Sequence, residues 1–598
     1  MTVFPRALGA RPLDASNTEF RVWAPDHDRV ALHLVDSGLT LPLDDLGDGY
    51  WATVTGEAPA GTRYRYLIDD DHYADPASLL QPDGVHGPSQ VVDLGAHAWA
   101  DDAYRQRPLW DHVIYELHVG TFSAAGTFDG ALEHLDSLVD VGVTALEVMP
   151  VAQFPGLRNW GYDGVFPFAV QNSYGGPLAF QRFVDTCHQR GLAVILDVVY
   201  NHLGPEGNIL SRFAPYFTHR YRTPWGDALN FDGEDSDEVR DYFWRNARQW
   251  FEGFHVDGLR LDAIHSIADQ SAIPFVAELA RRSHELGEEL GRRCDLIAES
   301  GANDPRVVTA LSDNGVGMDA QWNDDFHHAL HVAMTGERTG YYADYAGVGD
   351  LARALDEGFV LQDTPSPFRR RRHGAPSGHL APERFVVFSQ NHDQIGNRPL
   401  GDRLITMVSP EQYRLVAALV ILSPNVPLLF MGEEYGERAP FPYFVSHSDP
   451  ALLEAVRVGR AREFTDIATA TELFDPADPT TFDAARLDHS LLTQPAHRAL
   501  FDHYRQLISL RRSTPALRRS PRSRARAWSE GNVISLVRSH EDGDVVILFN
   551  VGPSQESGSL PDHRPWRDLL DTTDSPVPAG VVTLDPWSYR VFRSTVTG

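Results

Sequence analysis

A chain of 598 residues, 42% of them hydrophobic, exceeds one ordinary core, so roughly two to four folded domains are expected. Its 83 Asp and Glu outnumber 52 Lys and Arg, and the formal net charge of −31 repels phosphate backbones, which excludes nucleic acid as a natural partner but leaves a neutral sugar unopposed. Two cysteines, Cys187 and Cys294, give no disulfide framework and read as small buried residues. The N-terminus carries no apolar signal segment and no run of about twenty apolar residues exists to span a bilayer, so a cytoplasmic protein with no membrane partner is expected.

Residues 1–100 read as a small β-sandwich. Phe20, Val22 and Trp23 form a strand-like run that Ala24 and Pro25 stop; Val30, Leu32 and Leu34 alternate along a second; Tyr50, Trp51 and Val54 follow the turn around Asp48; Tyr64, Tyr66 and Ile68 alternate after Gly61. The polar stretch from Ala100 to Pro108 marks a boundary.

From there to residue 514 short apolar runs alternate with helical patterns. Eight strand candidates stand out, at Val113–Val119, Ala145–Val151, Ala193–Val199, Val256–Leu261, Leu296–Ala298, Gly317–Trp322, Phe385–Ser389 and Pro427–Met431. Pro177 begins a helix with Phe180, Phe183, Val184 and Cys187 on its apolar face and Gly191 after it. Ser236 is a candidate cap for another, with Val239, Phe243, Ala247 and Trp250 inside and Gly253 beyond its end. Eight strands with helices between them predict a (β/α)8 barrel over residues 108–514. Two interruptions are visible: an aromatic, Gly- and Pro-rich insertion at 203–235 after the third strand, and a loop at 363–382 before the seventh that contains Arg369 to Arg372. That basic run fits either a solvated loop or a cover over the cleft. Residues 515–598 turn β-like again, at Val533–Val537, Val545–Asn550 and Tyr589–Phe592, which predicts a small C-terminal β domain.

Four segments end a strand-like run in polar groups: LDVVYNH from Leu196, DGLRLDAIH from Asp257, LIAES from Leu296 and VFSQNHD from Val387. A barrel of parallel strands places its chemistry at such carboxyl ends. Asp262, Glu299 and Asp393 supply what cleavage of a glycosidic bond requires, a carboxylate as nucleophile or base and a carboxylic acid for the leaving oxygen. Arg260 precedes Asp262 by two residues, so both face one side of the strand and the cation keeps Asp262 ionised. Glu299 ends the apolar run Leu296–Ala298, surroundings expected to keep it protonated as an acid. His202, His392 and Asp393 are candidates to hold sugar hydroxyls. Taken singly, an aspartate at a strand end is more often a cap or an ion pair; the four segments in succession carry the argument. His188, His202, His265 and His392 form no short ligand cluster, and no glycine-rich phosphate loop opens a helix, so neither a metal nor a cofactor is expected.

These four segments resemble the signature regions of the α-amylase superfamily of retaining glycosidases and transglycosidases. FRVWAPDHDRVALHL from Phe20 with GTRYRYLID from Gly61 resembles the N-terminal sandwich of isoamylases and branching enzymes. The resemblance implies Asp262 as nucleophile, Glu299 as general acid/base and Asp393 as transition-state stabiliser. It implies Tyr162, in NWGYD, as the aromatic that stacks on the reacting sugar, with His202, Arg260, His265 and His392 around it. The stretches Phe154–Pro177, Tyr200–Asn208 and Tyr221–Gly233, with the SDEVR helix from Ser236, are similar to the trehalohydrolase branch of the superfamily, which implies maltooligosyltrehalose and related α-glucans as substrates and trehalose as product. Branching enzymes are the alternative, since MGEEYG from Met431 suits both. In the insertion, Trp225, Phe217 and Tyr221 either contact the trehalose side or pack the loop. Secreted amylases bind calcium through an Asn at the position of Asn201; the short insertion here has no acidic cluster, and no calcium is expected.

Overall fold

A computed structural model describes residues 7–464, 473–518, 525–561, 565–570, 576–577 and 579–594. Eight parallel strands close into a barrel: β1 Ile114–Leu117, β2 Ala145–Val148, β3 Ala193–Val198, β4 Gly258–Leu261, β5 Asp295–Ala298, β6 Ala320–Trp322, β7 Phe385–Phe388 and β8 Val426–Phe430. Each lies within or one residue beyond a strand expected from sequence. β8 returns to β1 with Leu428 opposite Ile114.

The strand period of two sorts the side chains. Leu196, Val198, Leu259, Leu261, Leu296 and Ala298 point outward into the shell of helices, within the main core. Ile114, Ala145, Ile195, Ile297, Trp322, Phe388 and Leu428 form a separate cluster that fills the barrel. One period above Ile114, Ala145 and Ile195 come Glu116, Glu147 and Asp197, and Arg260 lies opposite Asp197. The barrel therefore carries a buried polar layer on an apolar floor, at the carboxyl ends of its strands.

Three helices matter for the site. Helix α1, Gly176–Gln189, buries Phe180, Phe183, Val184 and Cys187 as its pattern predicts. Helix α2, Ser236–Phe254, buries Val239, Phe243, Ala247 and Trp250, but its ends differ from expectation. Ser236 is its first helical residue; the N-cap position belongs to Asp235, whose side chain makes no capping bond and whose φ is 58°. Gly253 lies inside the helix, and His255, at φ 54°, ends it: its N–H closes on the Trp250 carbonyl and its side chain is held by Asp101, so a histidine fills the left-handed position that glycine usually takes. Helix α3, Pro450–Glu463, follows β8 in an excursion that the sequence pattern did not reveal.

Two sheets of four and five strands make the N-terminal sandwich. It rests on the barrel through the Tyr242 hydroxyl, which donates to the Pro76 carbonyl at 2.7 Å, and through Trp23 edge-on to Tyr216. The C-terminal region has a six-stranded and a two-stranded sheet among the described residues, and its buried Arg538 ties it to the barrel by donating to the Ser423 carbonyl, which also accepts from Arg511 of the barrel's last helix. Cys187 and Cys294 are buried free thiols. The 203–235 insertion contains the hairpin Phe217–Thr223/Gly226–Leu229, and the 363–382 loop the hairpin Thr364–Ser366/Arg371–His373. Of the basic run, Arg369 pairs with the buried Asp344 at 3.1 Å, while Arg371 and Arg372 are exposed. No helix among the described residues is long and apolar enough to cross a membrane.

At the opposite end of the barrel His188 is clamped between Asp101 and Asp257, at 2.9 Å from each, and stacks on Tyr104. Burial disfavours its charge, but the two carboxylates outweigh it and raise the imidazole to about 9. A raised folded pKa gives stability that is complete below the unfolded value of about 6.5 and fades as pH climbs through 9. His188→Gln is expected to flatten the fall in unfolding free energy between pH 6.5 and 9, a few kcal/mol in the wild type, as read by denaturant titration across that range.

Candidate active site

Arg260, fully buried, joins the polar layer to the cleft. Its Nη1 donates to Asp197 at 2.7 Å and to Asp262 at 3.0 Å, its Nη2 donates to Glu299 at 2.8 Å, and the guanidinium lies 4.1 Å above the Trp322 ring. Asp262, one residue past β4, takes a second bond from Asn201, whose amide reaches Oδ2 at 2.6 Å and the Asp262 carbonyl at 2.9 Å. The Asn201 NH2 group is thus committed to Asp262 and its oxygen meets His202, and among the described residues no group of three or more His, Cys, Asp or Glu could hold a metal ion.

Glu299 follows β5. Its surroundings are not the apolar ones expected: Oε2 accepts from Arg260 and, at 2.9 Å, from the Ala263 N–H. The reason is that Ala263 sits at φ 39°, an uncommon conformation for a residue with a Cβ, and this turns its amide toward Glu299. Oε1 has no partner among the described residues.

Asp393, 38% exposed, projects from the first turn of the short helix His392–Gly396 after β7. Beside it, His392 Nε2 donates to the Tyr162 hydroxyl oxygen at 2.8 Å, its backbone N–H donates to Glu116 at 3.1 Å, and Nδ1 meets the other Glu116 oxygen. Burial opposes the charge on this imidazole, yet Glu116 and Asp393 raise it to about 9, so it is a cation at neutral pH. His202 is the opposite case: burial lowers it to about 4, and the neutral ring contacts Asn201 on one side and the Tyr162 carbonyl at 3.0 Å on the other.

Asp262, Glu299, Asp393, Tyr162, His202, His392 and Trp225 line one open cleft of about 420 Å³. The Trp225 ring stacks on His202 at 4.0 Å and 9°, and it is 46% exposed on the cleft wall. Phe217 packs against the core, and the Tyr221 hydroxyl is bound to Asp232 at 2.7 Å; neither lines the cleft. His265 stands apart, exposed, its ring nitrogen 3.4 Å from the Gly301 amide. Sequence reasoning missed Asp197, Glu116 and Glu147, each the one charged residue inside an apolar run, as in IYEL and ILDV. It also missed Asp324, on the first turn after β6, whose carboxyl burial and the charges of Glu299 and Asp393 push up to about 8.

The family described as alpha amylase, catalytic domain, matches residues 116–225, and carbohydrate-binding module 48 (isoamylase N-terminal domain) matches residues 7–82. The malto-oligosyltrehalose trehalohydrolase of Arthrobacter ramosus is 48% identical over 504 residues, covering 83% of this chain and 88% of its own. The chain belongs to the malto-oligosyltrehalose trehalohydrolase family. The family's protein from Saccharolobus solfataricus is 45% identical over 84% of this chain and 86% of its own. A crystal structure from Salmonella typhimurium, provisionally described as an alpha amylase, superposes with a TM-score of 0.90 at 37% identity, over 99% of this chain and 100% of that one. The 1,4-alpha-glucan branching enzyme of Bacillus caldolyticus is more distant, 27% identical over 93% of this chain and 81% of its own.

The His392–Glu116 pair gives a direct test. Glu116→Gln keeps the shape and removes the charge that supports the imidazolium, so the His392 titration followed by NMR is expected to move down by about one unit or more; an unmoved titration would assign the support to Asp393 alone.

Proposed function

We propose that this chain hydrolyses the α-1,4-glucosidic bond next to the terminal trehalose of maltooligosyltrehalose, with retention, and that Asp262, Glu299 and Asp393 carry the reaction. The observation that supports it most is one buried guanidinium holding the carboxylates of Asp262 and Glu299 together at the mouth of the barrel, in a chain of this family. Retention needs the two carboxyl groups close, with no water between them.

Asp262 attacks the anomeric carbon of the last glucosyl unit of the maltooligosaccharide chain. Two donors, Arg260 and Asn201, fix its oxygens before the substrate arrives. Glu299 gives its proton to the glycosidic oxygen, and trehalose leaves. With Oε2 occupied by Arg260 and Ala263, the proton sits on Oε1. A water then gives a proton back to Glu299 and attacks the same carbon, which frees Asp262 and releases an α-configured maltooligosaccharide. The exposed Asp393 carboxylate binds hydroxyls of the reacting glucose as the ring flattens. Tyr162 stacks beneath that ring, and neutral His202 and cationic His392 with Arg260 surround it. Trp225 offers its free face to the leaving trehalose. His265, at the rim, is a more remote contact of the same substrate.

Branch transfer would use the same carboxylates with a sugar hydroxyl in place of water, and the distant relation to the branching enzyme does not favour it. Incubation with maltotriosyltrehalose is expected to yield trehalose and maltotriose, and incubation with amylose no new α-1,6 linkages; branch points in amylose with the trehalosyl substrate uncut would reverse the reading. Asp262→Asn, nearly isosteric, is expected to lower kcat at least about a thousandfold without loss of fold; more than a few per cent of residual turnover would remove Asp262 from the role of nucleophile. Glu299→Gln is expected to slow the natural substrate far more than an activated aryl glucoside, because only the poor leaving group needs the proton; equal losses would place the acid elsewhere.

A further inference from the structure

The barrel's last helix, α4 (Pro495–Ser513), carries Arg505, Ile508, Ser509 and Arg512 at offsets of three, four and seven places, which puts them on one helical face. Against that face stand Arg107, from the segment before β1, Arg518, just past α4, and Val139 to Gly142, from the chain ahead of β2; together they enclose an open cavity of about 460 Å³, comparable to the catalytic cleft. It lies at the amino ends of the strands: Gly142 comes shortly before β2, and Arg511 of the same helix donates to the carbonyls of Ile421, Ser423 and Asn425 just ahead of β8. The catalytic carboxylates stand at the carboxyl ends, so this cavity is separate from the machinery described above.

Charge sets it apart within a chain of net charge −31. The guanidiniums of Arg107, Arg505, Arg512 and Arg518 line it, against the single carboxylate of Asp140 among the lining residues. Arg505 is matched, by Asp140 at 3.4 Å and Asp502 at 2.9 Å. The other three are not. Arg518 and Arg107 share one carboxylate, that of the buried Asp111, at 2.6 and 3.4 Å, and Arg512 makes no hydrogen bond or ion pair among the described residues. Burial and the charges of Arg107 and Arg518 lower the Arg512 pKa from its ordinary value, against the pull of Asp111. Three cations around one carboxylate leave two positive charges uncompensated at this spot.

We infer that the cavity binds a phosphate monoester of a small hydroxylated metabolite, such as a hexose phosphate. A phosphate monoester carries about −1.5 to −2 charge at pH 7, which balances the excess on the three guanidiniums, and its oxygens suit their planar donor forks. Ser509 and Ser513 line the same cavity and offer hydroxyls to a polyol body, beside the aliphatic side chains of Val139, Val141 and Ile508. No aromatic ring is among the described lining residues, so nothing there stacks on a nucleotide base. The volume falls in the range of small-molecule sites, about 300–1,000 Å³. The inference does not depend on the function proposed above.

The test is calorimetric titration of the full chain with glucose 6-phosphate at low salt, with glucose and inorganic phosphate titrated in parallel. Wild-type protein is expected to bind glucose 6-phosphate saturably, and the two fragments at least about tenfold more weakly, because each supplies only part of the contact. Arg512→Gln removes a guanidinium that no described residue uses, and is expected to weaken glucose 6-phosphate at least about tenfold. Arg281→Gln, an exposed arginine on the helix Phe275–Leu290, is expected to leave the affinity at the wild-type value. Should Arg512→Gln lower the melting temperature, Arg107→Gln is read in the same way. The absence of saturable binding by the wild type overturns the inference. So does an unchanged affinity in Arg512→Gln, or an equal loss in Arg281→Gln, which would reduce the effect to general charge. Inorganic phosphate bound as tightly as glucose 6-phosphate overturns the assignment to an ester.

Discussion

The buried guanidinium of Arg260 is the constraint on which the site depends. A cation with no exposed surface is stable only when its charge is matched, and here three carboxylates from three segments match it through Nη1 and Nη2, Asp197 on β3, Asp262 after β4 and Glu299 after β5, while Nε is left without a bonded partner among the described residues. Removing one partner of such a buried pair generally costs about 3–5 kcal/mol, because the remaining charge is left without compensation. The same contacts that make Arg260 tolerable inside the barrel therefore place Asp262 and Glu299 side by side. Trp322 closes the assembly from β6, with its ring under the guanidinium. Stability and catalytic geometry are set by one residue, and neither can be altered without the other.

Strain is concentrated at the next residue along. Ala263, at φ 39°, occupies a region that costs a residue with a Cβ about 1–3 kcal/mol. It persists because its neighbours over-determine it: its N–H is held by Glu299 Oε2, and the following amide, of Ile264, donates to the Glu299 carbonyl at 3.1 Å. The turn after Asp262 and the end of β5 are thus one hydrogen-bonded unit. A carboxylate that accepts from a guanidinium and a backbone amide on a single oxygen keeps a fixed orientation, which leaves the other oxygen aimed for proton transfer. The expectation of an apolar setting for Glu299 failed for this reason. The three residues before it are apolar, but they point away or lie below, and the turn from β4 supplies the polar contacts.

Most of the barrel was legible because each strand is a short run of apolar residues bounded by polar ones, and burial on both faces leaves little else for such a run to do. Asp262, Glu299 and Asp393 were legible because each breaks such a run at its carboxyl end. Glu116, Glu147 and Asp197 were not, because they sit inside the runs, where a charge reads as an interruption of the strand and only closure of the barrel gives it partners. Glu147 shows the cost of that position: both its oxygens are buried without a bonded partner among the described residues, and burial with the nearby Glu116 charge drives its carboxyl well above the usual range. It lies between the apolar floor and the charged layer. Helix α3 escaped for the opposite reason. The pattern PALLEAVRVGRARE has weak apolar periodicity because the helix buries nothing, and its place is set by Arg460 reaching a loop more than sixty residues earlier in the chain.

The N-terminal sandwich belongs to this same arrangement through a chain of polar contacts. His86, from the sandwich, meets Glu206 in the insertion after β3 at 3.1 Å. Glu206 is nearly buried and also accepts from the Ser448 backbone N–H at 2.9 Å and pairs with the buried His447 at 3.2 Å. Ser448 immediately precedes Asp449, the residue that caps α3 by accepting from the Ala451 N–H. A carboxylate with so little water around it must satisfy its oxygens with protein donors, so the position of Glu206 commits the sandwich, the insertion and the start of α3 to one geometry. The far end of α3 is committed to the Asp393 loop by Arg460. Helix α3, which lines the cleft, is thus held at both ends by polar contacts and not by core packing.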